Sequence, residues 1–315
     1  MTVQVWSHTP DPSAFYRLLE PARVLGVEVV EDPHLVTADT VVTNRPILPA
    51  IADQIEAWRD MGRRVVVDID DDMDHLPVRH GIAGRFHTEP LHRACQLADV
   101  VTCSTPALVD LYGYGHGIVV RNCVPGFYPR PIRYRQHRPW IGWVGSMHAH
   151  PDDPAKCGDG VLRAVQAVGG AFAFVGLKED TDALKLALSW PDTQPGVVPL
   201  GTVALSTLPS VLCEFDAGIV PLAPHRFSLS KSWLKGLEYA AAGVPGVASP
   251  TPEYRYMASL GGCLLADGPN EWFEQLHRLL TDPSLRADRI AAGYSMVRDW
   301  TYEHRAHEWA DIWAS

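Results

Sequence analysis

The chain has 315 residues, long enough for two domains of about 150 each. Its 27 basic residues against 37 acidic ones give a net charge of -10, which excludes a broad, sequence-blind grip on nucleic acid. A hydrophobic fraction of 46% supplies a sizeable core, and no apolar run approaches the roughly 18 residues of a membrane span. The six cysteines form no close pair, and VQVW already reads as a strand at residue 3. Reduced thiols, no signal peptide and a cytoplasmic location are therefore expected.

In chain order, VQVW (3–6) predicts a strand and SAFYRLLEPARVLG (13–26) a helix stopped by Gly26. VEVV (27–30) and TVVT (40–43) predict two more strands. In AIADQIEAWRDMG, Ile51, Ile55 and Trp58 share one helical face. VVVDI (65–69), DVVTCS (99–104) and IVV (118–120) complete the first set of strands, with a helix starting near Pro106. The stretch 124–139 holds four prolines and no periodicity, as a linker would. Strands then resume at 140–145, 171–176, 197–201, 216–222 and 246–249. Helices are predicted near 159–168, over 231–243, and near 271–280 and 284–299. Strands spaced by helices imply βαβ units, so the fold class is α/β with two doubly wound halves.

VVVDIDDDMD (65–74) sets five aspartates behind a β-branched run. Pleating turns Asp68 away from Val67 and Ile69, and Asp70 falls at or just past the strand end, where α/β proteins place active groups. Two carboxylates roughly 6 Å apart repel by about 2.8 kcal/mol at an effective dielectric of about 20. That is enough to hold one near neutrality as a general base. A hard-cation site and a solvated acidic turn are alternative readings of the same residues, although an EF-hand is excluded by the spacing.

In FSLSKSWLKGLEYAAAGVPGVASPTPEYR (227–255), a Ser/Lys-rich helix start offers N–H groups and positive charge suited to a diphosphate. Glu238 lies two turns on and is placed to accept from ribose hydroxyls. An ordinary amphipathic helix with a glycine stop is the competing reading. His148 and His150 follow Gly145-Ser146 and are candidates for donor phosphates or sugar. Arg45, after a strand in TNRP, is a candidate for acceptor or phosphate.

Several segments, in order, resemble GT-B-fold glycosyltransferases of the family 4 type (glycosyl transferases group 1). They are LADVVTCSTPALVDLY (97–112), VVRNCVP (119–125), IGWVGS (141–146), FDAGIVPL (215–222) and KSWLKGLEYAAAGVPGVAS (231–249). DIDDDMDHLP resembles an acidic motif of a bacterial and phage branch. The resemblance implies two facing Rossmann-like domains: 1–130 on the acceptor side and 131–297 on the nucleotide-sugar side. It further implies that residues 298–315 form a helix crossing back to the first.

It also implies a retaining, metal-independent transfer of a hexose from a nucleotide sugar, with no cofactor. The second of two family glutamates falls on Glu238, which would hold the donor ribose. The first falls on Ser230, a departure that leaves Lys231 and Ser232 as the diphosphate contacts. The family's Gly-Arg pair is absent at Gly145-Ser146. Val198 to Gly201, with Leu200 and Gly201 the expected contacts, fall where backbone groups hold the base. Tyr16-Arg17 resemble a YR pair of related enzymes, and Arg17 is expected to face the cleft as an acceptor contact. Asp70, with Asp71 and Asp72, falls beside the acceptor, which would be a protein, a glycan, a small metabolite or a modified DNA base. Alternatives are a nucleotide-sugar epimerase of the same fold and a non-catalytic binding module.

Overall fold

The computed structural model describes the chain except residues 9–10, 77–87, 127, 129–137, 148–149 and 192–195. Its first sheet contains β1 (Val3–Trp6), β2 (Glu28–Val30), β3 (Thr40–Asn44), β4 (Arg64–Ile69), β5 (Val100–Cys103) and β6 (Gly117–Val119). The spatial order is β2-β1-β3-β4-β5-β6, and every pairing is parallel. The central strands are apolar on both faces because helices cover both. The helix Pro49–Asp60 buries Ile51, Ile55 and Trp58, the face its periodicity predicts, and Trp58 meets Trp6 edge-on at 5.1 Å.

The second sheet contains β7 (Trp140–Val144), β8 (Ala171–Val175), β9 (Val197–Gly201), β10 (Ala217–Val220), β11 (Gly246–Ala248) and β12 (Cys263–Leu265). Its order is β12-β11-β10-β7-β8-β9, again all parallel. The architecture is α/β with two doubly wound domains, as the residue pattern predicts. Residues 129–137, around the expected boundary at 130/131, lie outside the described residues. Among those described, no helix is long and apolar enough to cross a membrane. All six cysteines are free.

The last helix, Tyr302–Ala314, returns to the first domain. Val124 and Thr301 form a parallel bridge, with Val124 N to Trp300 O and Tyr302 N to Val124 O both at 3.1 Å. Tyr302 Oη donates to Tyr16 O at 2.6 Å, and Trp309 and Trp313 are buried. Trp300 packs edge-on against Trp233 of the second domain at 4.4 Å. These tryptophans pack the domain junction.

Two local details differ from the predicted elements. The first helix carries a π-helical turn at Phe15–Leu19, a widening that sequence periodicity does not signal. The stretch 231–243 is shorter than predicted: the helix runs Leu234–Ala241, preceded by a separate turn, Arg226–Leu229. The helices Glu89–Leu97, Thr181–Ala187, Leu208–Leu212 and Pro252–Ser259, and the edge strand β12, are short pieces that the sequence reading passed over.

Candidate functional site

In a doubly wound sheet, ligands bind beyond the carboxyl ends of strands where the winding direction reverses, because the two connecting loops diverge there. The reversal lies between β1 and β3 in the first sheet and between β7 and β10 in the second. The loops leaving these strands line one cavity of about 540 Å³ between the domains. Asp11, Arg45 and Asp70 face it from one side, and Val144–Ser146 and Val220–Leu222 from the other.

The first-domain wall rests on a buried ion pair. Arg17 meets Asp68 in a bidentate fork at 2.9 and 2.8 Å, and both side chains are almost fully buried. Arg17 Nη1 also donates to Val120 O at 2.7 Å and to Asn122 Oδ1 at 2.9 Å. Thr102 Oγ1 donates to Asp68 Oδ2 at 2.6 Å. A buried pair with its hydrogen bonds met this fully is a framework element. Arg17 lines the cavity, but its guanidinium spends four hydrogen bonds on the protein.

Asp70 and Asp71 stand above this pair and line the cavity. Arg45 Nε lies 3.7 Å from Asp70 Oδ1, and its Nη2 pairs with Asp11. The Arg45 backbone is left-handed, with φ at 41°, a conformation costing about 1 kcal/mol or more for a non-glycine residue. Its N–H donates to Asp68 O at 3.1 Å, which holds the turn and aims the side chain back over Asp70. Burial, then the charge of Asp71, push the Asp70 carboxyl up to about 6, against the pull of Arg45 and a Ser13 hydrogen bond. Asp68 adds the smallest push of the five.

Asp72 departs from its expected place beside Asp70 on the cavity. It turns inward, 1% exposed, and its Oδ1 accepts from Asp74 N and His75 N, both at 3.2 Å. His75 Nδ1 pairs with it at 2.9 Å. It caps the turn Met73–His75 and does not line the cavity.

On the second-domain wall, Gly145, Ser146, His150, Lys231, Ser232, Leu234 and Lys235 line the cavity. A Cβ at Gly145 would come within 2.3 Å of the Trp143 ring, so glycine lets the loop pass close to that indole. His148 lies outside the described residues. Trp233 does not cap the helix Leu234–Ala241; Gly236 N donates to Tyr254 Oη at 3.2 Å, and Leu234 and Lys235 at the helix start line the cavity. Lys231 Nζ donates to Asp71 Oδ1 across the cleft at 2.7 Å and lies 4.3 Å from the Phe227 ring centre.

Four expected donor-side residues, Leu200, Gly201, Ser230 and Glu238, do not line the cavity. Ser230 is buried, its hydroxyl donating to Phe227 O at 2.8 Å and its carbonyl accepting from Thr105 Oγ1 at 3.0 Å. Leu200 and Gly201 end β9 short of the cavity, which Thr202 and Val203 reach instead. Glu238 is 1% exposed and takes a short hydrogen bond from Tyr16 Oη of the first domain. Lys235 Nζ donates to its other oxygen at 3.0 Å. Burial and the charge of Glu238 push the Tyr16 phenol far up, so Tyr16 remains the donor.

Two residues escaped the sequence reading. Asn122 joins the domains: its Nδ2 donates to Ser232 Oγ at 2.7 Å, and its carbonyl accepts from Trp233 Nε1 at 3.0 Å. It sits inside VVRNCVP, so motif position was a usable signal. Asp153 lines the cavity beneath His150 and accepts from Ala223 N at 2.7 Å. Nothing in PDDPAK separates it from a turn residue. Among the described residues, no three His, Cys, Asp or Glu side chains converge with metal-ligand geometry.

Residues 160–311 match the model of a family described as glycosyl transferase-like. No curated protein matches the chain in sequence. Among solved structures, Anabaena HepE in complex with UDP and glucose is 14% identical, covers 99% of both chains and has a TM-score of 0.70. A glycosyltransferase from Rickettsia africae is 10% identical over 99% of this chain and 97% of its own, with a TM-score of 0.66. A sucrose-phosphate synthase from Thermosynechococcus elongatus is 13% identical over 88% of this chain and 73% of its own, with a TM-score of 0.64. The chain thus has the GT-B fold, and its second half carries a glycosyl transferase-like sequence.

Proposed function

We propose that the protein is a nucleotide-sugar-dependent glycosyltransferase that transfers a hexose to an acceptor hydroxyl within the interdomain cleft. The observation that carries this reading is the pairing of opposite chemistries across one cavity. Lys231, Ser232 and the helix start at Leu234 and Lys235 offer positive charge and N–H donors to a leaving diphosphate. Asp70, with Asp71 and Arg45 beside it, offers the opposite wall a carboxylate for an acceptor hydroxyl. The glycosyl transferase-like match over 160–311 and the nucleotide complex of HepE support the donor class.

In this reading the bond from the anomeric carbon to the diphosphate breaks as the acceptor oxygen bonds to that carbon on the same face, giving retention. The acceptor proton passes to Asp70 or to the departing phosphate oxygen. Cationic side chains and the helix terminus stabilise the leaving group, so the reaction proceeds without bound metal. The acceptor is a protein, a glycan, a small metabolite or a modified DNA base, and the protein acts in the cytoplasm. A non-catalytic nucleotide-binding module is the second reading. It is favoured by Ser230 in the place of an acid and by Tyr16 occupying Glu238.

A thermal-shift panel of nucleoside diphosphates and their sugar conjugates in EDTA tests the donor site. Ligand at about 100 Kd adds roughly 2.7 kcal/mol of stability. A shift with one base family is expected in EDTA. A shift that appears only with manganese overturns metal independence, and no shift under either condition overturns the donor site. Binding without sugar transfer to any acceptor favours the module.

A further inference from the structure

The loop after β7 lacks the basic pair expected next to Gly145, yet the same loop brings His150 into the cavity. His150 Nδ1 lies 2.8 Å from Asp153 Oδ2. His150 N donates to Ser146 O at 2.8 Å, and its ring packs on Phe227 at 5.8 Å. With Nδ1 held by a carboxylate, Nε2 is the free end of the ring, and it has no hydrogen-bond partner among the described residues. The Asp153 side chain is 2% exposed. Its second oxygen accepts from Ala223 N at 2.7 Å and Ser228 Oγ at 3.3 Å.

The charged and titratable groups around this ring differ in what they can do. His225 faces the other Asp153 oxygen, with Nε2 at 3.8 Å. Its Nδ1 accepts from Ser228 N at 3.2 Å as the cap of Arg226–Leu229, which engages that end of the ring. Lys231 sits over the Phe227 ring, tied to Asp71. Asp180 is occupied by Met147 N at 2.8 Å. The Asp153 carboxylate is therefore available to balance a proton on His150.

We propose that Asp153 is a positioning residue that holds His150 with Nε2 toward the donor. When the donor binds, His150 takes up a proton from solvent and grips the diphosphate as a cation between Asp153 and the phosphate. The inference rests on the donor site proposed above and adds a protonation step to it. His150 thereby replaces a fixed arginine with a cation that forms on binding, and donor affinity falls as pH rises.

The test is calorimetric titration of UDP-glucose, GDP-mannose and ADP-glucose, whose diphosphate diesters do not titrate near neutrality, in two buffers of different ionisation enthalpy. Wild-type protein is expected to take up protons on binding one of them. His150→Gln should abolish the uptake and weaken binding about ten-fold, the worth of one charge-assisted hydrogen bond. Asp153→Asn should reduce the uptake, and His150→Arg should restore affinity without uptake, which a purely structural role would not produce. Equal uptake and affinity in wild type and His150→Gln overturns the proposal. Absence of wild-type binding to all three overturns the donor site itself, and this inference with it. If Asp153→Asn does not fold, the two His150 variants decide.

Discussion

Lys231 of the second domain donates to Asp71 of the first at 2.7 Å, both side chains about one-fifth exposed. On the proposed donor site, the cation that would receive a diphosphate is held by a carboxylate of the first domain, which a donor would have to displace.

Removing the two partners should therefore move donor affinity in opposite directions. Lys231→Ala is expected to weaken nucleotide-sugar binding by about ten-fold or more. Asp71→Asn is expected to tighten it about five-fold, the worth of a partly exposed ion pair no longer to be broken. Calorimetric titration of both variants checks this, and parallel losses would remove Asp71 from competition with the donor.

Asp70→Asn should cut sugar transfer by about a hundred-fold or more while leaving donor binding within a few-fold. Since the Asp70 carboxyl sits at about 6, transfer by the wild type should rise with pH through that value and then level off. Stability follows the opposite sign. A carboxyl with a raised folded-state pKa favours the fold while protonated and opposes it increasingly as pH rises from its unfolded value through about 6. The asparagine variant should melt higher than wild type at pH 7.5, by on the order of 2–3 kcal/mol at most, with the gap closing near pH 4. Equal melting at both pH values would contradict the assigned burial.

Arg17→Met strands Asp68 in the core beside Thr102. Breaking one side of a buried pair costs about 3–5 kcal/mol, whereas replacing both partners with apolar residues recovers much of it. Urea denaturation of Arg17→Met and of Arg17→Met/Asp68→Leu should show that order. A Met variant as stable as wild type would mean Arg17 is not the keystone of the first-domain wall.

Tyr16→Phe removes the phenol that donates to Glu238 and leaves a buried carboxylate with Lys235 alone. A loss of about 1–3 kcal/mol is expected, the cost of an unsatisfied buried acceptor. If Glu238 serves ribose, the same variant binds donor more tightly because the carboxylate is no longer occupied. Unchanged affinity would assign Glu238 to the domain junction.

The two doubly wound domains were legible in the sequence because hydrophobic periodicity is local: β-branched runs and the Ile51-Ile55-Trp58 face report burial from neighbours along the chain. The place of Asp70 was legible for the same reason, since it follows the end of a strand and strand ends are where sheet winding exposes side chains to a cavity. What each aspartate does was decided only by partners distant in sequence. Asp68 is neutralised by Arg17 from the first helix, Asp71 is held by Lys231 from the other domain, and Asp72 caps the next turn. Asp153 gave no signal because its importance comes from the backbone and imidazole groups that the fold gathers around it. Periodicity fixes which face of an element is buried, but charge pairing depends on distances of a few ångströms between segments, and those exist only once the two sheets have packed.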